Sequence, residues 1–155
     1  MSVMQERTNW RDLAFSRRHR YYGNDCCAVD LDYLPFKFNE YYNGEPVALI
    51  EYKHENAAEQ DYSKPNFQAL IRLGDRAELP VFCVYYAHDM SWYIGDPLND
   101  YARKIISTRT RFTEFEYVRF LHDLRGVKVH DNYIEFLLKK ADEKEHERHN
   151  QNRAS

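Results

Sequence analysis

Four ionisable residues are spaced so that they could act together: Asp30 and Asp32, then Glu51 and Lys53 further along. Within each pair one residue intervenes, and in an extended strand residues two apart share a face. Asn43-Gly44 lies between the pairs. This dipeptide favours a two-residue hairpin turn, because both central positions of a type I′ turn need positive φ. With that turn, Tyr42 pairs with Glu45, Glu51 falls opposite Phe36, Lys53 opposite Leu34 and Glu55 opposite Asp32. Asp30, Asp32, Glu51 and Lys53 then project to one side, and Val29, Tyr33, Ile50 and Tyr52 to the other. Charges placed beside buried strands must be paired or solvated. A divalent cation meets that need, since magnesium takes oxygen ligands and commonly binds one or two carboxylates. Asp32 (or Asp30), Glu51 and the backbone carbonyl near Tyr52 are the expected ligands, and the hairpin register favours Asp32. Lys53 would stand by the attacking water, to orient it, help deprotonate it, or stabilise charge on a phosphate.

The D-L-D at 30–32 followed by E-Y-K at 51–53 resembles the active centre of the PD-(D/E)xK nuclease superfamily. Type II restriction endonucleases, archaeal Holliday-junction resolvases and RecB-like exonuclease domains belong to it. The resemblance implies a restriction-endonuclease-like core: a helix, a hairpin bearing the acid and the E-x-K, a second helix, then a further strand. Residues Thr8 to Tyr86 follow that order. It also implies hydrolysis of nucleic acid phosphodiesters with Mg2+ (or Mn2+), DNA being expected over RNA. Asp30 or Asp32 would be the first acid, Glu51 the second and Lys53 the lysine. Gln68, on the helix after E-x-K, is similar to a glutamine that RecB-like members place near the active centre. Glu6 and His19 are candidates for the group that the first helix often carries near the metal. The chain departs from the pattern in having Val29 or Leu31, not proline, before the aspartate, and in lacking a four-cysteine cluster. Many small nucleases of this type act as homodimers. Two other readings stand beside this one. The hairpin could belong to a non-catalytic nucleic-acid-binding or protein-interaction module, or its acids and lysine could simply pair across strands on the surface.

The elements that must position these residues are legible from periodicity. Thr8 to about Arg20 reads as a helix capped by Thr8, with Trp10, Leu13, Ala14, Arg17 and Tyr21 on one side. Arg7, Arg11 and Arg18 fall on a neighbouring face, and Arg17 and Arg20 extend the charge. These five arginines are the expected contacts to nucleic acid phosphates. Alternation from Val29 gives the hairpin strands, peaking at 33–42 and returning at 47–52. Residues 56–64 read as loop or frayed helix and 66–76 as a helix. Pro80 to Tyr86 is β-branched and aromatic, hence a buried strand, and Ser91 to Ile94 a short edge strand. Thr113-x-x-Glu116 is a capping box opening a helix to Leu124, and Asp131 to about Glu143 is a final helix. The fold class is mixed α/β: a sheet with a central hairpin flanked by helices, and extra C-terminal helices. Residues 1–144 form one domain, and 145–155 a polar, flexible tail.

Composition sets outer bounds. The chain has 155 residues, enough for one domain with its own core. No apolar run approaches the ~20 residues of a membrane span, and Met1 to Arg20 is too charged for a signal peptide. Three cysteines make no disulfide framework, which points to a cytoplasmic setting. No glycine-rich phosphate loop occurs, and His146-Glu-Arg-His149 reads as solvated charge. The net charge of −3 is unevenly placed. Arg7 to Arg20 carries five arginines against one aspartate, and Arg103 to Arg111 carries Arg103, Lys104, Arg109 and Arg111 with no acid, whereas Asp30 to Asp61 holds eight acids against two lysines. Basic flanks around an acidic centre suit phosphates at a rim and a cation in the middle.

Overall fold

A computed structural model describes residues 18, 21–23, 25, 29 and 31–154. It divides into two units, 1–30 and 31–155, and the architecture below is that of the second. The expected N-terminal helix, with Arg7, Arg11, Arg17 and Arg20, and also Glu6, His19 and Asp30, lies outside the described residues. Arg18 is described, as helical and exposed.

The second unit is mixed α/β. In chain order its elements are β1 (Phe36–Phe38), β2 (Gly44–Pro46), β3 (Leu49–His54), α1 (Pro65–Ala77), β4 (Val81–Tyr86), β5 (Tyr93–Pro97), α2 (Asp100–Arg103), β6 (Thr110–Phe112), α3 (Glu114–Asp123) and α4 (Asp131–Ala154). Strands β3-β4-β5-β6 form one sheet in that order, and β1-β2 form a small ladder. β3 and β4 are parallel, while β5 and β6 continue antiparallel. A parallel pair needs a crossover, and α1 supplies it. β5 is therefore an inner strand rather than the expected edge. The short β6, hidden in the basic stretch Arg103 to Arg111, takes the edge.

Both sheet faces are covered. Phe67 of α1 packs with Leu49, Val81, Cys83, Tyr85 and Leu98 on one face. Tyr117 and Phe120 of α3 pack with Ile50, Phe82, Val84 and Phe112 on the other. The period-2 alternation of β3 thus sends 49, 51 and 53 towards α1, and 50 and 52 towards α3. Burial on both sides explains why β4 reads V-F-C-V-Y-Y without polar interruption. The Thr113–Glu116 capping box forms as the sequence predicts. α4 runs on to Ala154, past the expected end near Glu143, with its residues from Lys139 to Ala154 exposed. No helix among the described residues is long and apolar enough to cross a membrane.

The expected turn at Asn43-Gly44 does not form. β1 and β2 pair Phe36 with Pro46 and Phe38 with Gly44. The loop instead runs over Asn39–Asn43. The Asn39 side chain accepts from the N–H groups of Tyr41 (2.9 Å) and Asn43 (3.1 Å), and Tyr42 takes the left-handed conformation with φ 60°. An asparagine side chain that mimics a backbone turn outcompetes the type I′ option. Gly44 serves close approach: a Cβ there would meet the Phe36 ring at 3.1 Å. Beyond the ladder, Tyr33 bridges Ile50, where the Asn43-Gly44 register had put His54. One extra residue between Pro46 and Ile50 accounts for the change of register between ladder and bridge, as in a bulge.

Asn99 holds three of these elements together. Its buried side chain accepts from Val81 N (3.1 Å) and caps α2 through Ala102 N (2.9 Å). It also donates to Leu79 O (2.8 Å) and Asp75 (3.1 Å) at the end of α1. Asn99→Ala would orphan a buried strand N–H and a helix-start N–H. The expected loss is about 2–4 kcal/mol of stability, measured by urea unfolding against wild type. A loss under about 0.5 kcal/mol, the level of ordinary surface changes, would contradict the role assigned to Asn99.

Candidate active site

Sheet register sets the site. Glu51 of β3 is level with Cys83 of β4, and Cys83 with Asp96 of β5. The β5–β6 ladder ends at Gly95–Thr110, so Arg109 is the next residue beside Asp96 and bonds to it. Laterally paired residues point to the same face. A row of ionisable groups therefore crosses the α1 face of the sheet. At its β3 end stands Asp32. The chain there is not a regular strand: Leu31 packs on the α1 side and Tyr33 on the α3 side. Between them Asp32 turns its carboxylate onto the β3 edge and accepts from Tyr52 N–H at 3.1 Å.

The Tyr52 backbone faces the same way as this contact. Leu49 N donates to Pro80 O and Glu55 N to Tyr86 O, so the odd residues of β3 bond towards β4. The even residues turn their N–H and C=O to the opposite edge, where Ile50 meets Tyr33. Tyr52 C=O consequently leaves β3 on the side of Asp32.

Glu51 is only 8% exposed, whereas Asp32 is exposed. The Glu51 Oε1 accepts from Lys53 Nζ at 2.7 Å. Its Oε2 is buried with no hydrogen-bond partner. Burial is the main cause that pushes the Glu51 carboxyl above its ordinary value, and the neighbouring Asp32 carboxyl adds to it; Lys53 opposes the shift without cancelling it. Burial pulls on the Lys53 ammonium in the opposite sense, but Glu51 and Asp32 outweigh it and hold its pKa above the ordinary lysine value. Lys53 also lies over the Phe67 ring, 5.9 Å from its centre.

The residues fit a hard divalent cation. Two carboxylates and a main-chain carbonyl meet at one strand edge, and a buried carboxylate oxygen there lacks a donor. Among the described residues no group of three or more His, Cys, Asp or Glu side chains is gathered for a metal, so the carbonyl and external ligands would complete the shell. Gln68 is tied elsewhere: its Nε2 donates to Tyr62 O at 2.8 Å, bracing the loop between β3 and α1.

Sequence reasoning passed over the far half of the row. Asp96, 7% exposed, is held by Arg109 through two bonds of 2.6 Å and by the Tyr62 hydroxyl. Burial alone would raise Asp96, but these partners keep it below the ordinary aspartate range. Cys83, between Glu51 and Asp96, is pushed up to about 11 by burial and stays a thiol at neutral pH. Asp96 could have been found by extending β5 through Y-I-G-D-P, which places it on the parity of Ile94.

Comparisons with family models, with curated proteins and with solved structures gave no match.

The raised Glu51 carboxyl makes stability pH-dependent. Between the ordinary value of 4.5 and its raised value, the folded state binds a proton that the unfolded chain has lost. Stability from this group therefore falls as pH rises through that window. Glu51→Gln, a neutral isostere, should raise Tm in chelator at pH 7–8, with the gain vanishing below about pH 4. Thermal unfolding of both proteins across pH is the check, and a gain of equal size at every pH would contradict it.

Proposed function

We propose that this chain is a metal-dependent nuclease that hydrolyses nucleic acid phosphodiesters, DNA in preference to RNA. The observation that carries the reading is the orphaned, buried Glu51 Oε2 beside the Asp32 carboxylate, with Lys53 Nζ 2.7 Å from the other Glu51 oxygen. Burying the Glu51 carboxylate beside a second carboxylate without a cation is costly, and a purely structural row could have used an amide. The order of strand, E-Y-K strand, helix and parallel strand is also that of the PD-(D/E)xK core that the sequence resembles.

Asp32, Glu51 and the Tyr52 carbonyl would hold Mg2+ or Mn2+. When bound, the ion would supply Lewis-acid charge against the phosphodiester undergoing attack. Lys53 remains an ammonium, because its pKa is raised. It is thus suited to donate a hydrogen bond to the attacking water or to a phosphoryl oxygen, not to take a proton. Glu51 fixes that ammonium, and the exposed Asp32 keeps the site open towards solvent on one side. The arginines of the N-terminal segment, Arg18 among them, remain candidates for phosphate contacts.

The test is incubation with single-stranded, double-stranded and branched DNA and with RNA, with and without magnesium or manganese. Wild type should cut only with metal. Asp32→Asn, Glu51→Gln and Lys53→Ala should each lower turnover at least about a hundredfold while unfolding cooperatively as wild type does. Metal-independent cutting, or equal cutting by wild type and all three variants, would remove the proposed chemistry. Salt-sensitive binding without cleavage would favour a non-catalytic nucleic-acid-binding module.

A further inference from the structure

The row of ionisable groups described above, with Glu59 paired to Arg109 at its far end, carries four carboxylates, Asp32, Glu51, Asp96 and Glu59, against two cations, Lys53 and Arg109. Without a cation such a balance repels a phosphodiester, and a divalent ion only cancels it, so a negative charge that can leave would add attraction. The candidates are not equivalent. Asp32 and Glu51 are needed for a cation. Asp96 is buried and chelated by Arg109 on both of its oxygens. Glu59 is different. It lies on the loop between β3 and α1, its side chain is 68% exposed, and its carboxylate pairs with Arg109 Nη2.

Arg109 is built to hold a second anion. Its Nε and Nη2 fix it on Asp96, and its Nη1 makes no hydrogen bond among the described residues. The guanidinium hangs over the Tyr85 ring, 5.4 Å from its centre. Tyr85 is the lateral neighbour of Lys53 across β3 and β4. Arg109, the residue just before β6, thus reaches across β5 to lie over β4, the strand that pairs with β3. Tyr62 and Gln60 of the same loop bond to the Tyr85 hydroxyl, so the loop that carries Glu59 closes over this spot.

We infer that Arg109 is a phosphate-binding residue and that Glu59 occupies its outward side as a placeholder, displaced when a nucleic acid phosphate arrives. This rests on the nuclease reading for the identity of the ligand, and it adds which residue grips a phosphate next to the one undergoing attack. An exposed carboxylate on a loop contributes little to its ion pair. A phosphate offers more acceptor oxygens to the guanidinium fork. Exchange of one for the other costs little, and Asp96 keeps Arg109 oriented throughout.

Glu59→Gln separates this from a merely structural latch. The probe is a fluorescein-labelled single-stranded oligonucleotide, read by anisotropy in chelator across a salt series. Removing the competitor should tighten binding about threefold with the salt slope of wild type, because Arg109 makes the same phosphate contact in both proteins. Glu147→Gln, an exposed glutamate near the end of α4, controls for bulk charge. Arg109→Lys should weaken binding of the same probe. Binding by Glu59→Gln that is unchanged or weaker overturns the inference, as does equal tightening by Glu147→Gln. Metal-dependent cleavage is scored separately on the wild type. Cleavage with no effect of Glu59→Gln on binding or KM sinks Arg109 alone. Tighter binding with no cleavage keeps the phosphate site and sinks the nuclease.

Discussion

A carboxylate buried beside another carboxylate is the constraint on which the rest of this structure turns. Glu51 sits in the first sheet strand with one oxygen on Lys53 and the other unpartnered. Desolvating such a group is unfavourable by several kcal/mol in general, and the fold must supply that from elsewhere. It does so by placing Glu51 between two apolar layers. Phe67 and Leu49 lie on its own face, and Ile50, Phe82 and Phe120 lie behind the sheet. The parallel β3–β4 pair is covered on both sides, and that rigidity holds Glu51, Lys53 and the Tyr52 backbone in fixed relation. The unfavourable group and the well-packed strand are therefore one feature, since a softer strand would let Glu51 swing out to water.

The same logic runs across the sheet. Asp96 is as buried as Glu51, but its charge is matched within the chain by Arg109 and Tyr62. The two acids share a row yet differ in sign of shift: one carboxyl is raised, the other lowered. A satisfied acid is a structural anchor. An unsatisfied one stores demand for an external partner, which is how perturbed groups come to mark functional sites. Cys83 between them, a buried thiol, insulates the two without adding charge.

Much of this was legible in the sequence, for a definite reason. The Asn43-Gly44 turn was wrong, yet the facing of Glu51, Lys53 and Asp32 survived it. The observed partner of Tyr33 is Ile50 where His54 was expected, four positions away. An even slip preserves which side chains share a face, whereas a one-residue slip reverses it. α1, β4 and the capping box of α3 followed from periodicity and local hydrogen bonding. What stayed hidden depended on non-local pairing. The three-residue β6 is too short to show alternation, so Arg109 read as part of a basic run instead of the partner of a buried aspartate. Residue-level turn signals also misled, because Asn39 supplies a competing turn that no dipeptide rule records.

Arg109 shows why charge counted along a chain is a poor guide to charge presented in space. The run from Arg103 to Arg111 holds four cations and no acid. In the fold, Arg103 pairs with Asp100, Arg109 with Asp96 and Glu59, and Arg111 lies over the Trp92 ring. Lys104 likewise lies over Tyr101. A stretch that reads as a basic rim is thus largely committed to neighbours, and only its exchangeable pairs can turn towards an incoming anion. The register puts Arg109 on the face that carries Glu51, in the row of Asp96, and Arg111 on the same face in the row of Lys53, so sheet pairing and not the linear run sets which cations lie near the acids.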